Sequence, residues 1–73
     1  MKSFNYALFG LYIKKLRLDK GMSQSEVGEA LGVSKWRLQR IEKGNDYLNV
    51  DIFFKICEFF DINLETFTCI FFA

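Results

Sequence analysis

Phe9, Ile13 and Leu16 recur at helical spacing along the first third of the chain, with Tyr6 one turn earlier and Tyr12 alongside. Lys14, Lys15 and Arg17 fall between them, so the pattern predicts an amphipathic helix from about Asn5 to Lys20, stopped at Gly21. Gly10 sits inside this stretch, where glycine costs about 1 kcal/mol against alanine.

A second helix is predicted from Ser23 to about Leu31. Ser23-Gln24-Ser25-Glu26 is a capping box, with Met22 and Val27 placed as its hydrophobic staple. Gly32 breaks it. Ser34 caps a third helix, Lys35 to Lys43, in which Leu38 and Ile41 face inward. Gly44-Asn45 ends it, both residue types tolerating positive φ. Asn49 caps a fourth helix running to about Phe60, with Asp51 in its first turn favouring the helix dipole. A fifth segment follows the Asn63 cap. Its tail, residues 66–72, is rich in β-branched and aromatic side chains, so it either continues as helix or forms a short strand. The fold class is all-α: a compact five-helix bundle, one domain over residues 1–73.

Composition narrows the chemistry. A 73-residue chain buries only about 60% of its unfolded surface, so a partner or cross-link usually supports it. Cys57 and Cys69 have neither metal spacing nor a framework pattern, and there is no histidine. Cys57 reads as a small buried hydrophobe, and Cys69 as an inert thiol or one near a dimer axis. No cofactor, no metal and no catalytic set is expected, so the reading is not an enzyme. There is no apolar run long enough for a membrane span and no signal-peptide pattern at the N-terminus, which predicts a cytoplasmic location with reduced thiols.

The net charge of +1 hides an asymmetry. Residues 1–44 carry nine Lys/Arg against four Asp/Glu, a net +5, while residues 45–73 carry one against five, a net −4. A basic half beside an acidic half suits a polyanion-binding face next to a different kind of surface.

Residues Ser23 to Gly44 carry the functional signal: two short helices, a tight Gly32-Val33-Ser34 turn, and a second helix whose outer face is basic and polar. That is the physical recipe for placing a helix in the DNA major groove. Gly28, mid-helix, lets the second helix approach closely.

The chain resembles the Cro/phage-repressor, or XRE-type, helix-turn-helix family. The matching residues are Phe9-Gly10, Ile13, Leu16-Arg17, Gly21-Met22-Ser23-Gln24, Val27-Gly28, Leu31-Gly32-Val33-Ser34 and Ile41-Glu42-Lys43-Gly44. The series continues with Val50, Phe53-Phe54, Ile56, Phe60, Ile62-Asn63-Leu64 and Phe67. The resemblance covers roughly residues 9–68. It implies the phage-repressor arrangement of helices, with the DNA-binding motif at helices two and three. Gln24 then matches a phosphate-clasping glutamine beside a helix N-terminus. Lys35, Trp36, Arg37 and Arg40 match positions facing DNA, with Arg37 and Arg40 suited to guanine. Ser34 combines capping with a phosphate contact, and Lys43, Gly44 and Asn45 match a phosphate-contacting loop. Arg17 and Glu42 match a buried structural ion pair. Lys14, Lys15 and Lys20 read as plain surface. Trp36 departs from the family's small or polar residue there. It either packs on a thymine methyl or sugar, or covers the neighbouring helix.

The aromatic surplus near the C-terminus points to a partner surface. Ile52 and Phe59 occupy family positions that are often small or polar, and Thr68 to Phe72 extend past the usual end. Residues 62–73 are therefore expected to dimerise the chain, with Phe59, Phe67, Ile70, Phe71 and Phe72 at the interface. The other reading of these side chains is an unusually aromatic core. A two-fold dimer places its recognition helices about 34 Å apart on a pseudo-palindrome. The resulting expectation is a sequence-specific regulator of transcription that binds double-stranded DNA. The alternative is an antitoxin-like module that neutralises a partner protein through the tail, with DNA binding secondary.

Overall fold

Four short polar side chains set the helix starts. In the computed structural model, which describes residues 4–46, 48–63 and 65, each caps the backbone amide three residues on. Asn5 Oδ1 accepts from Leu8 N–H at 2.9 Å, opening α1 (Tyr6–Asp19). Ser23 Oγ accepts from Glu26 N–H at 3.0 Å, opening α2 (Gln24–Leu31). Ser34 Oγ accepts from Arg37 N–H at 3.1 Å, opening α3 (Lys35–Lys43). Asn49 Oδ1 accepts from Ile52 N–H at 2.8 Å, opening α4 (Val50–Phe60). Each cap satisfies a donor that the first helical turn leaves without a partner.

All regular structure among the described residues is helical. Four helices are described where the sequence suggested five segments. Of the fifth, Glu65 is helical and its N–H donates to Asn63 Oδ1 at 2.8 Å, the contact a cap makes. The expectations placed on Leu64, Phe67, Cys69, Ile70, Phe71 and Phe72, and on the form of the tail, lie outside the described residues.

The core draws on every helix: Phe9 and Ile13 from α1, Val27 and Leu31 from α2, Leu38 and Ile41 from α3, and Ile52, Ile56 and Phe60 from α4. Full burial of a side chain of this size contributes about 1.5–3 kcal/mol. Ile52 is only 7% exposed, which corrects its reading as surplus apolar surface. It lies one and two turns before Ile56 and Phe60 on the same helical stripe, so the core takes all three. Cys57 is buried beside them, and desolvation pushes its thiol pKa up, which keeps it protonated and unreactive.

Helix α1 packs on α3, and α2 packs on both α3 and α4. The α1–α3 approach is backbone to backbone. A Cβ at Gly10 would lie against the carbonyl oxygens of Ile41 and Glu42. The helix-propensity cost of Gly10 is thus the condition for seating α1 directly on α3. Gly44 faces the same contact from the other side, at φ 77° with Ala7 Cα 2.7 Å from where its Cβ would stand.

Candidate nucleic-acid interface

The turn between α2 and α3 is closed by backbone and by a missing side chain. Val33 N–H donates to Gly28 C=O at 2.8 Å. A Cβ on Gly28 would sit 2.9 Å from the Val33 oxygen and 3.5 Å from Lys35 N, so glycine lets the turn fold tightly onto α2. Residue 23 closes the other end of α2. Its N–H donates to Glu26 Oε1 at 2.9 Å while its hydroxyl caps Glu26 N–H, the reciprocal capping box. The Ser23 backbone N–H, and after it the Ser23 hydroxyl beside the carboxyl, hold the Glu26 pKa below its ordinary value.

A buried polar network fixes α3 relative to the rest. Arg17 Nε donates to Glu42 Oε2 at 2.7 Å, and its Nη2 donates to Oε1 at 3.2 Å. Arg17 Nη1 donates to the Met22 carbonyl at 2.9 Å. Gln24 Nε2 donates to Glu42 Oε1 at 3.0 Å. One carboxylate therefore receives a guanidinium from α1 and an amide from α2, and the same guanidinium ties down the turn before α2. Among the described residues no buried side-chain nitrogen or oxygen lacks a hydrogen-bond partner.

With its inner face held, α3 presents an outer face of Lys35, Trp36, Arg40 and Lys43, all exposed, and a half-buried Arg37. Ser34 and Asn45 are exposed at its two ends. Trp36 is 64% exposed, so most of its ring faces solvent, and Lys35 Nζ stands 5.4 Å from its ring centroid. Arg37 and Arg40 share one acceptor that the sequence reading did not single out. Asp46 Oδ2 lies 3.3 Å from Arg37 Nε and 3.7 Å from Arg40 Nη2.

Lys14 is a second residue the sequence reading set aside. It lines an open groove of about 440 Å³ with Gln24, Gln39, Lys43 and Glu42. Its helical position relative to α2 and α3 depends on the Gly10 contact, which sequence spacing does not encode.

Phe59 is half-buried, edge-on to Phe60 at 4.9 Å, with Lys20 Nζ 5.5 Å from its ring centroid. Val50 and Phe54 are 67% and 55% exposed on α4. Among the described residues no group of acidic or cysteine side chains is arranged to hold a metal ion, and no helix is long and apolar enough to cross a membrane.

Comparison with known proteins places this geometry. A family profile described as helix-turn-helix matches residues 13–67. The uncharacterized HTH-type transcriptional regulator YgzD of Bacillus subtilis is 36% identical over 53 residues, 73% of this chain and 80% of that protein. A putative HTH-type transcriptional regulatory protein of Pyrococcus furiosus is 38% identical over 52 residues, 71% of this chain. This chain spans only 16 to 24% of the length of that protein and two further archaeal relatives. The restriction-modification controller protein C.AhdI of Aeromonas hydrophila superposes with a TM-score of 0.75 at 22% identity, covering 85% of this chain and 94% of that one. At that identity the likeness is one of fold.

Proposed function

The chain belongs to the helix-turn-helix family, and from that premise we propose that it is a sequence-specific regulator of transcription that binds double-stranded DNA through α3. The observation that carries this reading is the pairing of a rigid inner face with an open outer one. The Arg17–Glu42–Gln24 network pins α3, while Lys35, Trp36, Arg37 and Arg40 remain on its accessible side. Relatives named as HTH-type transcriptional regulators support it.

In this reading Arg37 and Arg40 address guanine in the major groove, where O6 and N7 accept a guanidinium fork. Lys35 reaches a base or a phosphate, and Trp36 packs on a thymine methyl or a sugar. The Ser34 hydroxyl, whose oxygen caps Arg37 N–H, keeps its own proton to give to a phosphate. Gln24, Lys43 and Asn45 contact the backbone, and Lys14 joins them through the shared groove. Arg17 and Glu42 hold the scaffold and touch no DNA. The protein works in the cytoplasm and catalyses no reaction.

The reading extends to a homodimer formed through residues 62–73, with Phe59 at its described edge. Two copies related by a two-fold axis would read two half-sites about 34 Å apart. Sedimentation across a concentration series tests this. A dimer that Phe59→Glu dissociates supports it, and a monomer at all concentrations removes it.

The primary test is salt-titrated binding to duplex DNA from the chain's own upstream region and to random duplex, for the native protein and Arg37→Ala. Tight, selective binding that the substitution weakens and makes less selective supports the proposal. Equally weak binding to both duplexes overturns it, and would favour the antitoxin-like reading, in which the tail engages a protein partner.

A further inference from the structure

We propose that Asp46 is a positioning residue for DNA readout, one that sets the orientation of Arg37 and limits how much charge α3 offers to phosphate. The inference rests on the DNA-binding reading above and adds to it a residue outside the recognition helix.

The placement of Asp46 follows from the end of α3. Gly44 turns the chain at φ 77°, and Asn45 N–H donates back to Arg40 C=O at 2.9 Å. This reversal carries residue 46 alongside the outer face of the helix it has just left. The Asp46 side chain is 16% exposed and so is largely shielded from water. Its Oδ2 accepts from Arg37 Nε at 3.3 Å, nine residues away in sequence.

The choice of nitrogen matters. A guanidinium has five N–H groups: one on Nε and four on the terminal pair. Holding Arg37 by Nε leaves Nη1 and Nη2 free as an end-on fork, the shape that matches guanine O6 and N7. The Arg37 backbone N–H is capped by Ser34, so both ends of this residue are restrained. A preorganised side chain loses less rotamer freedom on binding. Arg40 is held more loosely, at 3.7 Å with 58% of its side chain exposed.

The carboxylate also subtracts charge. Affinity for arbitrary DNA comes from neutralised phosphates and released counterions, with a salt slope of about −0.9 per phosphate contact. An acid shared by Arg37 and Arg40 weakens that term for every sequence, while correctly placed guanine still repays the fork. Asp46 therefore favours discrimination over raw affinity.

The experiment compares the native protein, Asp46→Asn and Arg37→Lys. The probes are a duplex the native protein selects from a randomised pool, the same duplex with each guanine replaced, and random duplex. Asp46→Asn is expected to bind random duplex more tightly, with a salt slope steeper by about 1. Its preference for the selected duplex should fall about tenfold, the lower range for a lost bidentate contact. In the DNA-free protein, Arg37 Nε–H should exchange faster with solvent. Arg37→Lys keeps the charge and loses the fork, so selectivity should fall while random-duplex affinity holds. Unchanged selectivity and salt slope in Asp46→Asn, with a native protein that does select a duplex, would overturn this inference and leave DNA binding intact. A native protein that selects no duplex overturns the DNA-binding reading itself, and this inference with it.

Discussion

Arg17 and Glu42 stand 25 residues apart in the chain and meet in its interior, Nε 2.7 Å from Oε2, with side chains only 8% and 3% exposed. The pair joins α1 to α3, and α3 carries the proposed contact surface. Its strength as a tie depends on both members being present.

Removing one partner leaves the other charge buried without compensation, which costs about 3–5 kcal/mol. Arg17→Met and Glu42→Leu are each expected to lower stability by that amount in urea titrations. The double variant, with neither charge, should recover most of the loss, because apolar groups of similar volume can replace a buried pair at little cost. A double variant as unstable as the sum of the singles would show that the pair does more than cancel its own desolvation.

Gly44 and Gly21 separate backbone strain from close packing. Both have positive φ, at 77° and 68°. A Cβ at Gly21 meets nothing within 4 Å, whereas one at Gly44 lies 2.7 Å from Ala7 Cα. Gly21→Ala should cost only the left-handed strain, about 1–2 kcal/mol. Gly44→Ala should cost that plus overpacking of about 1–3 kcal/mol as α1 is pushed off α3. Thermal melts of the two variants give the comparison, and equal losses would mean the α1–α3 contact yields without penalty.

What the sequence disclosed and what it withheld divide along the distance between the interacting groups. Ser23, Ser34 and Asn49 were legible as caps because a cap acts on an amide three residues away. Phe9, Ile13, Leu38 and Ile41 were legible as core because helical spacing puts them on one face. The Arg17–Glu42 pair was reached only through family resemblance, since no local rule links residues so far apart. Asp46 was missed for the same reason: its partners are set by the path of the chain after Gly44. Ile52 sits in the core with Ile56 and Phe60 at helical spacing, although the resemblance implies a small or polar residue at its position. Gly10 was read as a local cost, and its use lies in the α3 carbonyls packed against it.

The Glu26 carboxyl links the capping box to pH. Its pKa is depressed in the folded chain, mainly by the residue 23 backbone N–H and then by the Ser23 hydroxyl. A depressed carboxyl favours folding at pH above its unfolded value, and the contribution fades as pH falls through the folded value. Ser23→Ala keeps the backbone donor, so an NMR titration should show the Glu26 midpoint rising only part of the way to normal. Glu26→Gln should remove this component, flattening the loss of stability on the acid side. A midpoint fully normalised in Ser23→Ala would assign the effect to the hydroxyl instead.

Trp36 offers a readout of the contact surface that does not depend on stability. It is the chain's one tryptophan and is 64% exposed, so its indole is solvated in the folded protein. Intrinsic fluorescence should therefore resemble that of a free indole and change little when urea unfolds the chain. Trp36→Ala should shift stability by no more than about 0.5 kcal/mol, as for other surface positions away from the core. Adding a selected duplex should quench the emission or move it to the blue, because the ring sits two residues into α3, where a major-groove helix meets the base edges. Trp36→Ala should weaken that binding while leaving the melting curve in place. A fluorescence signal untouched by saturating duplex would put Trp36 outside the interface and confine readout to the arginine side of the helix.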